Sequence, residues 1–190
     1  MSNAIACTCL GGLGRFGNQM FQYAYARAYA ESIGAKLYTN RWIGRDLFEG
    51  IDDPIMDECS WERTEEPGGR DHIDLWGYFQ RPHHLALLSR SKLKRWLRPK
   101  SKYQKRGHEL VFHKRRGDYI DAGCYALITD KAYEDGARKF GKDPSKAKIY
   151  SDDRPVEATY DDFFEIMASK VIFRANSSYS WWAATLSDGE

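Results

Sequence analysis

Four short segments carry the residues best suited to chemistry. His113-Lys114-Arg115-Arg116-Gly117-Asp118-Tyr119 holds two adjacent arginines. A guanidinium is a planar fork of donors that grips a diphosphate bidentately and stays charged at any working pH. The pair therefore suits a leaving pyrophosphate, although a solvated basic turn is the commoner meaning of such a run. Gly11-Gly12-Leu13-Gly14-Arg15-Phe16-Gly17-Asn18 permits positive φ and close backbone approach. Ahead of a helix it makes a cradle for a phosphate or a sugar, or simply a tight turn. It matches neither the dinucleotide fingerprint nor the lysine-bearing phosphate loop. Ser151-Asp152-Asp153 offers carboxylates to ribose hydroxyls or a base N–H, to a divalent metal, or to a helix cap. Asn176-Ser177-Ser178-Tyr179-Ser180-Trp181-Trp182 puts small polar residues where a helix would begin, a further anion site. The plainer alternative there is a capped helix whose two Trp fill core.

The elements that must position these segments alternate β and α. The run Ile5–Leu10 reads as a strand leading into the glycine loop, with Asn18 as the cap of a helix over Gln19–Ile33. Gly34 ends that helix and Lys36–Thr39 reads as the next strand, so the chain opens on a βαβ unit. Asn40–Arg70 reads as loop with short helices, His72–Phe79 as a strand and Pro82–Leu97 as a helix. The basic stretch Arg98–Gly107 reads as an exposed connector. Beyond it come strands at Glu109–His113, Ala147–Ser151 and Lys170–Ala175. A turn is expected at Arg116–Asp118, and helices at Thr129–Phe140, Tyr160–Ser169 and Ser178–Leu186. The fold class is α/β, in two small halves, residues 1–100 and 108–190, and each candidate segment follows a strand, where such folds bind ligands.

Composition narrows the function classes. The 190 residues are 42% hydrophobic, 14% aromatic and 29% charged, which supports a packed core and excludes a disordered chain. Twenty-nine Lys and Arg against 27 Asp and Glu leave a net charge of +2, too little for a polyanion coat. No apolar run has the length of a transmembrane helix, and the first residues do not resemble a signal peptide. Four Cys are too few for a disulfide framework, which points to a reducing, cytoplasmic setting.

Taken together and in order, five motifs identify a resemblance. They are Gly14-Arg15-Phe16-Gly17-Asn18-Gln19-Met20-Phe21-Gln22-Tyr23-Ala24, Gly77-Tyr78-Phe79-Gln80, the His113–Tyr119 segment, Tyr150-Ser151-Asp152-Asp153, and Ala175-Asn176-Ser177-Ser178-Tyr179-Ser180-Trp181-Trp182-Ala183-Ala184. The chain resembles the α-1,2-fucosyltransferase family over roughly residues 10–186. That resemblance implies a GT-B-like fold, two Rossmann-like domains facing a cleft, with the acceptor side in the first and the nucleotide sugar in the second. It implies GDP-fucose as donor, a galactoside as acceptor, inversion at the transferred carbon, and no metal or other cofactor. By the same analogy Arg115 stabilises the departing diphosphate, with Arg116 and His113 in support. Asn18, Gly14 and Gly17 reach the donor from the first domain. Asn176, Ser177 and Ser178 bind diphosphate oxygens, Asp152 and Asp153 recognise the nucleoside, and Asp118 acts as a base or braces Arg115. Lys114 departs from a position that is usually apolar. The eukaryotic relatives' membrane anchor has no counterpart here, which favours a bacterial or viral cytoplasmic protein.

Three other readings compete. A glycosyltransferase of the same fold using another nucleotide sugar would need the same arginines. A shortened relative of the family could bind without catalysing. A nucleic-acid binder would explain the 12 Lys and Arg against one acid between Arg90 and Arg116, interleaved with Trp96, Tyr103 and Phe112. No reader motif accompanies those cations, and they flank an amphipathic helix as solvated faces do, so nucleic acid is the weaker partner. Contact with anionic lipid carriers or a membrane surface is the other use for them.

Overall fold

The computed structural model describes residues 3–123, 126–151 and 156–189, of which 118, 121, 122 and 156–158 are described by backbone alone. The chain divides into two compact units, Met1–Lys100 and Ser101–Glu190. Each is an α/β unit with its own small parallel sheet.

In the first unit, strand β1 (Ala4–Cys7) leads through the glycine loop into helix α1 (Phe16–Ile33) and back into β2 (Lys36–Thr39). Strands β3 (Glu62–Thr64) and β4 (Ile73–Leu75) complete a sheet of order β2-β1-β4-β3, all parallel. β1 is central, so Ile5, Ala6 and Cys7 are fully buried and the strand is apolar throughout, as a parallel strand covered on both faces must be. Gly34, at φ 64°, closes α1 in the left-handed conformation that glycine adopts without a Cβ clash. The helix itself is buried nearly all round from Phe16 to Ala30. The sheet covers one side, and Trp96, Phe79 and His84 pack on Arg27 and Tyr25 from elsewhere in the unit.

Three expectations change here. α1 starts three residues earlier than Gln19, with Arg15 in the capping position, so Asn18 lies within the first turn. The expected loop before residue 70 contains β3, too short and polar for an alternation signal to show. The same stretch holds the short helix α2 (Gly44–Leu47), and the helix over Pro82–Leu97 is interrupted, split into α3 (Pro82–Leu85) and α4 (Arg90–Trp96). Ser89 is extended and caps α4 by accepting from the Lys92 amide, so a serine that favours caps overrides the apolar spacing.

In the second unit, β5 (Val111–Lys114) lies between β6 (Lys148–Ser151) and β7 (Ile172–Arg174), again parallel. α5 (Gly117–Ala122), α6 (Asp130–Lys139), α7 (Val156–Met167) and α8 (Ser178–Leu186) make the connections and the C-terminal segment. The turn expected at Arg116–Asp118 is thus the start of a helix. Phe112 joins Leu110, Tyr133, Ala137 and Val171 in a buried cluster beneath α6. Burying one such aromatic side chain contributes ~1.5–3 kcal/mol. Alternation along β5 then sends His113 to the opposite face, where its ring lies 5.4 Å from Tyr179 of α8. Trp182 is fully buried, as core rather than site, while Trp181 is half-buried. No helix among the described residues is long and apolar enough to cross a membrane.

Candidate functional site

Both sheets have a switch point, where the chain first steps outward on one side and then returns on the other. In the first sheet it lies between β1 and β4, and in the second between β5 and β7. Parallel α/β sheets bind ligands in the crevice at the carboxyl ends of such strands, because the loops there diverge. The sequence motifs lie in those loops. The glycine loop follows β1, Gly77–Gln80 follows β4, His113–Tyr119 spans the end of β5, and Ala175–Ser178 follows β7.

In the first unit the two loops are joined. The Gln80 side-chain amide donates to Asn18 Oδ1 at 2.9 Å. Gly14 has φ 73°, and a Cβ there would come within 2.6 Å of Asn18 Nδ2, 2.9 Å of Asn18 Cβ and 3.0 Å of the Tyr78 ring. So Gly14, Asn18, Tyr78 and Gln80 meet at one point, and glycine is needed there for both conformation and space. Two amides on α1 secure the glycine loop: Gln19 donates to the Gly14 carbonyl at 3.1 Å and Gln22 to the Leu13 carbonyl at 3.0 Å. Gly17 is buried in the first turn of α1, where it serves packing. Glu65 organises the other loop, its Oε1 accepting from the Tyr78 and Phe79 amides at 3.1 and 3.2 Å. Phe79 is held at φ 52° and its ring is fully buried against Tyr25, 4.6 Å between centroids. A positive φ on a bulky residue is costly and persists only where the surroundings enforce it.

In the second unit the joint is Tyr119. Its hydroxyl donates to the Asn176 carbonyl at 2.6 Å, and the Arg115 guanidinium lies over its ring at 5.3 Å. Arg115 is thereby set beside the loop carrying Asn176, Ser177 and Ser178. Ser177 is extended, buried and in the capping position of α8, and its hydroxyl makes no capping bond. Ser178 opens the helix, whose N-terminal dipole and amides favour an anion.

Arg116 and Lys114 turn the other way. Lys114 faces α6 like Phe112, lying over the Tyr133 ring, and its Nζ is 2.8 Å from Asp130 Oδ1. Arg116 pairs with the same oxygen at 2.5 Å. The Lys114 hydrogen bond pulls the Asp130 carboxyl below the usual range against a weaker opposing desolvation, with the Lys114 and Arg116 charges adding to the pull. Two neighbouring arginines thus have different surroundings, which their sequence positions do not reveal. His113 is 3% exposed, and its backbone carbonyl accepts from the Tyr133 hydroxyl at 2.7 Å and from the Ala175 amide at 3.0 Å. It works as a joint between β5, α6 and the β7 loop.

The side chain of Asp118 lies outside the described positions, and Asp152 and Asp153 lie outside the described residues. The basic stretch is largely engaged within each unit. Lys92 pairs with Glu31, Arg98 with Glu49 and Lys105 with Asp161. Lys100 donates to the Arg45 carbonyl at 2.6 Å.

Sequence reasoning named Tyr119, Tyr78 and Gln80 only as members of motifs and gave them no role. Gln19 and Gln22 carried a signal: two amides three residues apart share a helix face, here the one toward the loop. Comparison of the chain with family models, curated proteins and solved structures returns no match.

Proposed function

We propose that this protein is an inverting glycosyltransferase that moves L-fucose from GDP-fucose to a galactoside hydroxyl, forming an α-1,2 linkage. In this reading its two units are the Rossmann-like domains of a GT-B enzyme. The observation that carries the reading is the clasp Arg115–Tyr119–Asn176 at the switch point of the second sheet. It joins the arginine motif to the polar loop at the start of α8, so a cation and a helix N-terminus lie at the neighbouring ends of β5 and β7.

That pairing matches what the reaction needs. As the bond from the fucose anomeric carbon to the phosphate oxygen breaks, the sugar gains oxocarbenium character and negative charge grows on the diphosphate. A guanidinium held in place by an aromatic ring meets that charge without reorganising, so it favours the transition state over the ground state. The α8 amides around Ser177 and Ser178 take further oxygens. The acceptor hydroxyl attacks from the opposite face of the sugar, its proton passes to a base, and GDP leaves. Asp118, in the same motif as Arg115, is the proposed base or brace. Asp152 and Asp153 are the proposed nucleoside contacts, and Asn18 with Gly14 the proposed first-unit contacts to the donor. Arg116, already tied to Asp130, supports from behind.

The test has two parts. Thermal unfolding is compared with GDP, UDP and ADP at matched concentration, since a ligand that binds only the native state raises the midpoint. Release of GDP from GDP-fucose is then followed with and without a panel of galactosides. GDP should stabilise more than UDP or ADP, and a galactoside should accelerate release. Equal shifts from all three nucleotides would remove the guanine-specific donor.

A further inference from the structure

We propose that Glu66, His83 and His84 form a binding site for one divalent transition-metal ion of the zinc type. The site lies in the first unit, clipping the loop after β3 to the start of α3. It adjoins the Gly77–Gln80 loop, where Phe79 packs on His84, and does not rest on the transferase reading.

One ligand atom from each of the three residues lies within 4.8 Å of the other two. His83 Nε2 is 3.1 Å from both Glu66 oxygens, and His84 Nε2 is 3.6 Å from Glu66 Oε1. Zinc–nitrogen and zinc–oxygen bonds of ~2.0–2.2 Å put tetrahedral neighbours about 3.3–3.6 Å apart. The spacing to the carboxylate already falls around that range. Imidazole and carboxylate together are a donor set for zinc and its first-row neighbours, and three protein ligands leave a position for water.

The second observation is His84 itself. Its side chain is 0% exposed, and neither ring nitrogen has a hydrogen-bond partner of ordinary geometry. An orphaned buried nitrogen is costly, and a metal at Nε2 would satisfy it.

The ring is fixed by packing. It stands edge-on to Tyr25 at 4.8 Å and to Phe79 at 5.4 Å. His83 and Glu66 are more than half exposed and able to close the remaining distance. Arg81 is the competing cation, 3.0 Å from Glu66 Oε1 and 3.6 Å from Glu65 Oε2. A carboxylate has about four acceptor positions, so Arg81 leaves room on Glu66.

The experiment is calorimetric titration of the full chain, stripped with EDTA and dialysed, with zinc chloride alone. The expected result is one ion per chain, with at least tenfold weaker binding in Glu66→Gln and in His83→Gln. Both positions are exposed, so both variants should keep the metal-free melting temperature of the parent. His108→Gln, at the other His–Glu pair (3.7 Å to Glu165), should bind zinc like the parent. Cobalt(II) should give a visible ligand-field band that Glu66→Gln loses. Absence of a one-to-one site, or equal affinity in the parent, Glu66→Gln and His83→Gln, would overturn the proposal.

Discussion

Tyr119 donates its hydroxyl to the carbonyl of Asn176, 57 residues further along the chain, at 2.6 Å. The same ring carries the Arg115 guanidinium 5.3 Å from its centroid. One side chain thus fixes the distance between the arginine segment and the α8 loop. Tyr119→Phe keeps the ring and removes the bond. It should cost ~0.5–1.5 kcal/mol of stability, the usual worth of such a bond. It should weaken GDP binding more than it lowers the melting temperature, because the loop it releases carries the proposed oxygen ligands. Parallel titration of GDP and thermal unfolding would decide; a variant that melts lower but binds GDP unchanged would confine Tyr119 to packing.

Arg115 and Arg116 should separate in function. Arg115→Ala should lose ~2.7–4 kcal/mol of transition-state stabilisation, roughly 10²–10³ in rate. Arg115→Lys should lose much of the same, because lysine keeps the charge but not the fork. Arg116→Ala should do less, since Arg116 is held by Asp130. Turnover of GDP-fucose and melting temperature measured on all three variants would test this. Wild-type turnover in a folded Arg115→Ala would leave the segment as a basic loop.

Gly14→Ala should be costly although the site is exposed. The residue has φ 73°, and the new Cβ would press on Asn18 and Tyr78. Backbone strain of this kind costs ~1–3 kcal/mol. Gly123→Ala also sits at positive φ, 63°, but meets nothing among the described residues within 4 Å, so it supplies the strain without the collision. Urea unfolding of the two variants should place Gly14→Ala lower, and equal losses would show that only backbone strain is at work.

Transfer should survive EDTA, because the proposed diphosphate site meets its charge with Arg115 and the α8 N-terminus. Loss of turnover with EDTA, restored by Mg²⁺ or Mn²⁺ in assay, would instead assign a metal to the diphosphate.

Asp53 gives a pH signature. Burial is the largest influence on its carboxyl and raises its pKa, against the Tyr23 hydroxyl at 2.9 Å and the Arg27 charge. In the unfolded chain it ionises near ~3.9. Between that value and the raised folded one, the native state holds more protons than the unfolded state. Its contribution to stability is therefore full below the unfolded pKa and lost as pH rises through the folded pKa. Asp53→Asn keeps an acceptor for Tyr23 and does not titrate. The stability of the parent relative to this variant should fall across that window and be flat on either side. Urea unfolding across the acidic range would read it, and a relative stability that rises with pH would reverse the assignment.

The sequence by itself determined the local features. Apolar runs and glycine positions placed α1 with its Gly34 stop, β2 over Lys36–Thr39 and α8 over Ser178–Leu186, because propensity and capping act within a few residues. It also singled out Arg115, the glycine loop and the Asn176–Ser178 turn, whose residue types are unusual for a core. What it left open depended on which residues meet across the chain. β3 is three polar residues that form a strand only because β4 lies beside them. Asn18 moved from cap to first turn because the loop before it closes on Gln19 and Gln22. Arg115 and Arg116 are adjacent and chemically alike. The position of Asn176 set one on Tyr119 and the packing of α6 tied the other to Asp130; Asn176 lies 57 residues beyond Tyr119, and Asp130 fourteen beyond Arg116.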